Sequence, residues 1–227
     1  MNESSILKEK INFEVKPVIE QISKNFYSFV KRLFDIFASL FGLIFLSPIF
    51  IITIILIKKE DCGFAILTQE RIGKNGNIFK LYKFRSMTID ADEVLKEMLK
   101  DPIIEKEYKK NMKLKNDPRI TNVGKFIRKT SIDELPQLIN VLKGDMSLIG
   151  NRPYLPREKE DMSTFYNDII KTKPGITGYW QVSGRSNVTF EERCKLESYY
   201  SNNFNFLLDL KIFFLTFYVV IFSKGAE

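Results

Sequence analysis

The 227 residues are 44% hydrophobic and 28% charged, which gives too much apolar surface for a disordered chain and a length suited to one folded core with attachments. Histidine is absent, which excludes imidazole bases, His-activated nucleophiles and His-ligated metals and leaves any catalysis to carboxylates, Lys, Arg, Tyr or hydroxyls. Four Lys balance four Glu over residues 1–30, so the whole net charge of +7 lies in 31–227 and fits phosphate partners in nucleic acid, anionic lipid or a nucleotide substrate. Cys62 and Cys194 are too far apart for a CxxC pair and too few for a zinc site, which predicts a reduced, cytoplasmic compartment without a disulfide.

In chain order, a leader over 1–30 comes first. Leu7, Ile11, Val15, Val18, Ile22, Phe26 and Phe29 recur at helical spacing and form an amphipathic stripe. Pro17 predicts two short helices there rather than one long one, lying on the membrane or on a second copy of the chain. Over 31–60, Leu33 to Ile57 carries Asp35 as its only charge and is long enough for a bilayer core of about 30 Å. It starts too late and runs too long for a cleaved signal. Lys31-Arg32 and Lys58-Lys59 flank it symmetrically, and Ser47-Pro48 sits just past its middle, where proline lacks a backbone donor and frees a carbonyl. Each half, about 22 Å as helix, enters one leaflet without crossing it. A re-entrant helix-break-helix and a single spanning helix with a tolerated proline are both compatible with these residues.

Over 61–203 the predicted elements change. Phe64 to Thr68, Gly73-Lys74-Asn75-Gly76 and Ile78 to Tyr82 read as a β-hairpin. Asp90 to Asn116 is a charged helical stretch broken near Asp101-Pro102, with Val94, Leu95, Met98 and Leu99 on its inner face. Ser131-Ile132-Asp133-Glu134-Leu135-Pro136-Gln137 places two carboxylates at a predicted helix N-terminus, with Pro136 at the first helical position. That placement favours ionised carboxylates and bound phosphate, and it equally fits a capping box in which Glu134 only satisfies a backbone donor. Asn151-Arg152-Pro153 ends a glycine-punctuated loop suited to a nucleotide phosphate. Pro174-Gly175-Ile176-Thr177-Gly178 and Gly184-Arg185 form a second turn-rich patch, where glycines let a ligand approach and Arg185 meets an anion. Tyr179 and Trp180 stack or pack. Over 204–227, Ile212 to Phe222 is an apolar run too short to span a bilayer, expected as an interfacial or packed helix. No nucleic-acid motif, P-loop or GxGxxG occurs, and no nucleic-acid partner is expected.

In this order, Lys31-Arg32-x-x-Asp35, Ser47-Pro48, Gln69-x-Arg71-x-Gly73, Lys83-Phe84-Arg85-Ser86-Met87, Asp117-x-Arg119-Ile120-Thr121, Ser131-x-Asp133-Glu134-Leu135-Pro136-Gln137 and Pro174-Gly175-Ile176-Thr177-Gly178 resemble the monotopic phosphoglycosyl transferases. This bacterial sugar transferase family starts glycan assembly on polyprenol phosphate, and the resemblance covers about 31 to 223. It implies an α+β, mainly helical monotopic membrane protein with a re-entrant helix-break-helix at Ser47-Pro48, interfacial amphipathic helices and a small β-hairpin, on the cytoplasmic face of the bacterial inner membrane. It also implies Mg²⁺, a UDP-sugar donor and undecaprenyl phosphate as acceptor. By the same resemblance Asp133 is the nucleophile, forming an aspartyl-phosphosugar intermediate with loss of UMP. Glu134 helps hold Mg²⁺ with Asp133 or handles protons, and Arg85, Arg128, Arg152, Pro153, Gly175 and Arg185 are the candidate substrate contacts. The sequence departs from the family pattern at Asn151 and Phe64, where proline is usual, and at Glu197, where Asp is frequent. It resembles a minimal form without the upstream segments of larger relatives, and the leader is an expected site of homodimerisation. A glycosyl transferase releasing UDP and a non-enzymatic membrane scaffold are the alternatives.

Overall fold

The computed structural model describes the backbone of residues 3–111, 114–184 and 188–221, and side chains over 22–108, 114–184 and 188–219. It is mainly helical with two small sheets. The first helix, α1 (Glu3–Phe45), runs unbroken through Pro17, which corrects the expectation of two short leader helices. Proline there removes the bond to the carbonyl four residues earlier, and the helix continues past one missing rung rather than ending. Most of the leader's apolar stripe falls on side chains outside the described residues.

The next helix, α2 (Ser47–Glu60), follows after Leu46 alone, and the pair is bent by 58°. The cause is local. Pro48 has no N–H to give the Ile44 carbonyl, and the Ser47 hydroxyl donates to that same carbonyl at 2.7 Å instead. The expected break at Ser47-Pro48 is therefore present, with its freed carbonyl satisfied. No single helix among the described residues is long and apolar enough to cross a membrane. Many large apolar side chains on α1 and α2 are nonetheless exposed, among them Phe37, Phe41, Phe45, Ile51 and Ile52.

The expected hairpin pairs β1 (Ile66–Ile72) with β2 (Ile78–Phe84), closed by a turn in which Asn75 and Gly76 both take positive φ. Beyond it, α3 (Ala91–Met98) and α4 (Pro102–Asn111) are separated at Asp101, as Pro102 dictates, with Val94, Leu95, Met98 and Leu99 half-buried. Next comes α5 (Asn122–Lys129), capped by the Thr121 hydroxyl accepting from Gly124 N at 2.9 Å. A short helix, α6 (Gln137–Lys143), ends on Gly144 at φ +94°.

A second sheet was not expected from the sequence. Its two strands, β3 (Ser147–Ile149) and β4 (Gly175–Thr177), run parallel and pair Ser147 with Gly175 and Ile149 with Thr177. Three small helices or turns of helix accompany it: α7 (Tyr166–Ile169), α8 (Tyr179–Ser183) and, longer, α9 (Phe190–Asn203), which opens on a Thr189/Glu192 capping box. Last is α10 (Phe206–Ile221), which starts six residues before the predicted apolar run and exposes Phe206, Leu207, Phe214 and Phe217.

Polar residues of α1 fasten it to this body. Arg32 donates to the Val141 and Leu142 carbonyls at 2.5 and 2.8 Å in the last turn of α6. Asp35 is 3% exposed and accepts from Leu148 N at 3.0 Å. Lys31 pairs with Asp209 of α10, which also accepts from the Tyr27 and Tyr200 hydroxyls at 2.5 and 2.8 Å. Lys31 and Arg32, expected as a charged flank, thus act as internal fasteners.

Candidate active site

The acidic pair departs from the predicted helix start. Asp133 and Glu134 lie on a separate 3₁₀ turn, Ile132–Glu134, and α6 begins only at Gln137 with Pro136 as its cap residue. Ser131 sits at φ +56° and makes no capping bond, so the alternative capping box is absent. A positive φ on a non-glycine residue costs of order 1–3 kcal/mol and persists only where surrounding packing fixes it. That packing is visible. Ile132 and Leu135 on either side of the acids sink into a core of Ile57, Ala65, Phe84 and Ile127, which joins α2, the hairpin and α5. The anchors face inward and the two carboxylates turn toward β2.

There Lys83 Nζ stands 3.4 Å from Asp133 Oδ2 and 3.2 Å from Glu134 Oε1. Asp133 is 8% exposed. Burial pushes its carboxyl above the usual range, Lys83 draws it down, Glu134 pushes it up and Arg128 draws it down again. Arg128 is itself held below the ordinary guanidinium value by burial, against the pull of Asp133 and Asp117, and its Nε donates to Ser86 Oγ at 2.8 Å. Asp117 and Arg119 form a buried fork at 2.8 and 2.6 Å beside it, and despite burial Arg119 holds Asp117 below the usual carboxylate range. The structure therefore brings Asp133, Glu134, Lys83 and Arg128 into one constellation. Lys83 stands in the sequence only as part of the Lys83-Phe84-Arg85-Ser86-Met87 motif, and no period along β2 singles it out.

Two carboxylates converging on one ammonium show that this place accepts a cation. The donors are all oxygen, which suits Mg²⁺, an ion commonly held by one or two carboxylates plus substrate phosphates. No cluster of three metal-ligating side chains occurs among the described residues.

The other sequence candidates are spread around this centre. Arg85 is buried in an ion pair with Asp61, and its Nε donates to the Phe64 carbonyl at 2.7 Å. Arg152 stacks on Trp180 with its carbon 5.8 Å from the ring centroid, and its buried Nε has no partner. The Pro153 carbonyl accepts from Arg71 at 3.0 Å. Arg71, which the sequence places in a shared motif without a role of its own, is pushed down to about 10 by burial and then by Arg152, while Glu158 and Glu134 oppose the shift. Arg71 and Arg152 thus form a cationic shoulder within electrostatic reach of Glu134. Gly175 meets the Gly150 backbone, with a notional Cβ 2.1 Å from Gly150 N. Arg185 lies outside the described residues.

The departures have structural partners. Asn151 Nδ2 donates to the Ile169 carbonyl at 3.1 Å and to Ser201 Oγ at 2.6 Å, contacts that proline cannot make. Glu197, 1% exposed, accepts from Arg152 N at 2.9 Å. Burial pushes Glu197 up to about 7, against the opposing pull of Arg152 and Arg193. A carboxyl raised from 4.5 to about 7 on folding gives stability that is complete below about 4.5 and lost as pH rises to about 7, on the order of 3 kcal/mol. We expect Glu197→Gln, whose amide oxygen still accepts from Arg152 N, to flatten the fall in melting temperature between pH 5 and 8. A variant curve parallel to wild type would refute that assignment.

The model of the bacterial sugar transferase family matches residues 26–223. The chain belongs to that family. Among curated sugar transferases, the undecaprenyl-phosphate galactose phosphotransferase of Salmonella typhimurium is 48% identical over 90% of this chain and 43% of its own length. The galactosyl transferase CpsE of Streptococcus agalactiae is 46% identical over 90% of this chain and 46% of its own. The exopolysaccharide production protein ExoY of Sinorhizobium fredii is 41% identical over 86% of this chain and 87% of its own. This sugar transferase chain spans less than half the length of the first two relatives.

Proposed function

We propose that this chain transfers a sugar 1-phosphate from a UDP-sugar to undecaprenyl phosphate, with Asp133 as the nucleophile. The observation that carries the reading is a buried carboxylate held on a strained turn between Lys83 and Arg128. An Asp133 oxygen attacks the β-phosphorus of the donor. A new P–O bond forms, the bond to the bridging oxygen breaks, and UMP leaves with that oxygen and the electron pair. A phosphate oxygen of the polyprenol then attacks the same phosphorus, freeing the Asp133 carboxylate and giving a polyprenyl-diphosphate sugar. Both substrates are anionic, and Lys83, Arg128 and the Arg71/Arg152 shoulder supply the fixed positive charge that lets them approach a carboxylate. Glu134, with Asp133 before it reacts, would hold Mg²⁺, which when bound offsets charge on the diphosphate. The activities named for the Salmonella relative, and for a Klebsiella pneumoniae UDP-glucose:undecaprenyl-phosphate glucose-1-phosphate transferase that is 36% identical, support this acceptor and donor class. Nucleotide release by the detergent-purified chain, given Mg²⁺, undecaprenyl phosphate and a panel of UDP-sugars, tests it: UMP is expected, and UDP as the released nucleotide would overturn it.

The bent α1–α2 pair fits a re-entrant anchor on the cytoplasmic face. At 14 residues α2 is about 21 Å long, short of a bilayer core of about 30 Å, and the exposed apolar faces of α1, α2 and α10 suit lipid. The exposed Cys62 just beyond α2, and a cysteine introduced at Ser28 in a Cys62→Ser background, are expected to react with an impermeant maleimide from the same, cytoplasmic side. Labelling from opposite sides would mean a spanning helix.

A further inference from the structure

Away from Asp133, a cavity of about 90 Å³ lies between α1, the turn after β1 and the segment leading into β4, lined by Arg32, Asp35, Lys74, Ser147, Lys171 and Lys173 among others. Its charges do not balance. Lys31 at its edge is matched by Asp209 and Lys171 by Asp168 at 2.5 Å. That leaves Arg32, Lys74 and Lys173 facing Asp35, with Asp145 farther off and in contact with Lys143 at 3.6 Å. Arg32 spends its donors on neutral carbonyls, and neither Lys74 nor Lys173 has a hydrogen-bond or ion-pair partner among the described residues. The guanidinium of Arg32 and the ammonium of Lys173 crowd the same spot. A side-chain carbon at Gly144 would lie 3.2 Å from Arg32 Nη2 and 3.6 Å from Lys173 Nζ. Like charges gathered in a half-buried place repel each other and lose hydration, and burial followed by Arg32 holds the Lys173 ammonium below its usual value. The buried Ser147 hydroxyl beside Asp35 also has no partner meeting hydrogen-bond geometry.

We propose that this cavity binds a phosphate group, carried by an anionic phospholipid headgroup or by free phosphate. An excess of two positive charges matches a phosphate oxyanion better than a monovalent carboxylate. Lysine ammoniums and a hydroxyl are point donors that suit tetrahedrally placed oxygens, whereas bidentate carboxylate recognition calls for a free arginine fork. The cavity also lies where α1 passes from Lys31 and Arg32 into the exposed apolar Leu33, Phe34 and Phe37, the level at which a headgroup would sit beside a membrane-entering helix. None of the groups given a role at Asp133 is used, so loss of turnover in an Asp133 variant leaves this site intact.

The test uses the full chain in uncharged detergent and in nanodiscs. Melting temperature is titrated with inorganic phosphate, and native mass spectrometry counts phosphatidylglycerol against phosphatidylcholine retained from nanodiscs, for wild type, Lys74→Gln/Lys173→Gln and Lys173→Arg. Stabilisation of wild type by inorganic phosphate assigns the free ion, and retention of phosphatidylglycerol without such stabilisation assigns the headgroup. In either case the double variant loses affinity at least tenfold, about 1.4 kcal/mol or more, while Lys173→Arg keeps most of it. Equal behaviour of wild type and double variant in both arms, including phosphate bound only near Lys83 and Arg128, overturns the proposal. So does a wild type that binds neither. The melting temperature without ligand shows whether the double variant is folded. If it is not, the single variants Lys74→Gln and Lys173→Gln carry the test: each is expected to lose affinity, and the proposal is overturned if both bind as wild type does.

Discussion

Asp133→Asn is expected to lower UMP release by on the order of 10³-fold or more while leaving the fold intact. The substitution keeps the volume of a side chain that is almost wholly enclosed, and it replaces a carboxyl whose charge burial already disfavours. Lys83 retains Glu134 at 3.2 Å, so no cation is left alone. What is lost is the oxygen proposed to form the bond to phosphorus. A wild-type sample given a UDP-sugar without lipid acceptor should gain the mass of one phosphosugar on the peptide containing Asp133, and the variant should gain nothing. Turnover in the variant near the wild-type rate, or a covalent adduct on another residue, would remove Asp133 from the reaction. Glu134→Gln provides the contrast, since it leaves the nucleophile in place and should weaken the Mg²⁺ dependence together with the rate.

Gly175→Ala should be strongly destabilising, by about 3–5 kcal/mol from overpacking and broken backbone bonds. An added Cβ would stand 2.1 Å from Gly150 N, 2.5 Å from the Thr177 carbonyl and 2.7 Å from Gly150 Cα, all backbone atoms that no rotamer change can move. The strain falls on the β3–β4 pair, through the bonds Gly175 N to the Asn151 carbonyl at 2.8 Å and Gly150 N to the Thr177 carbonyl at 2.9 Å. Because Arg152 follows directly on that pair, activity should fall with the fold. Gly42→Ala is the control. Its Cβ would meet only the end of the Leu138 side chain at 3.2 Å, which can swing aside. Equal melting temperatures for the two variants would contradict the packing described for Gly175.

Features set by a residue's own backbone chemistry were legible in the sequence. The hairpin follows from alternation on either side of a Lys-Asn-Gly turn, and the bends at Pro48 and Pro102 follow from a missing N–H. Pro17 shows the limit of that rule, because one lost bond in a long helix need not end it. The β3–β4 pair was illegible for a different reason. Strands of three residues are too short to display a period, and their pairing joins segments far apart in the chain. The acidic pair was legible as two adjacent carboxylates but misplaced as structure. Nothing local announces a left-handed Ser131, whose conformation is imposed by Ile132 and Leu135 packing against α2 and α5. Partner choice was equally hidden, since Arg85 with Asp61 and Lys31 with Asp209 meet only through the tertiary fold.

The grip of Arg32 on the end of α6 has a mechanical consequence. That short helix has the acidic turn just before its first residue and the Arg32 contact in its last turn, so α1 and Asp133 are joined through one short element. The contact thereby works as a ruler, setting how far Asp133 stands from whatever surface receives the apolar faces of α1 and α2.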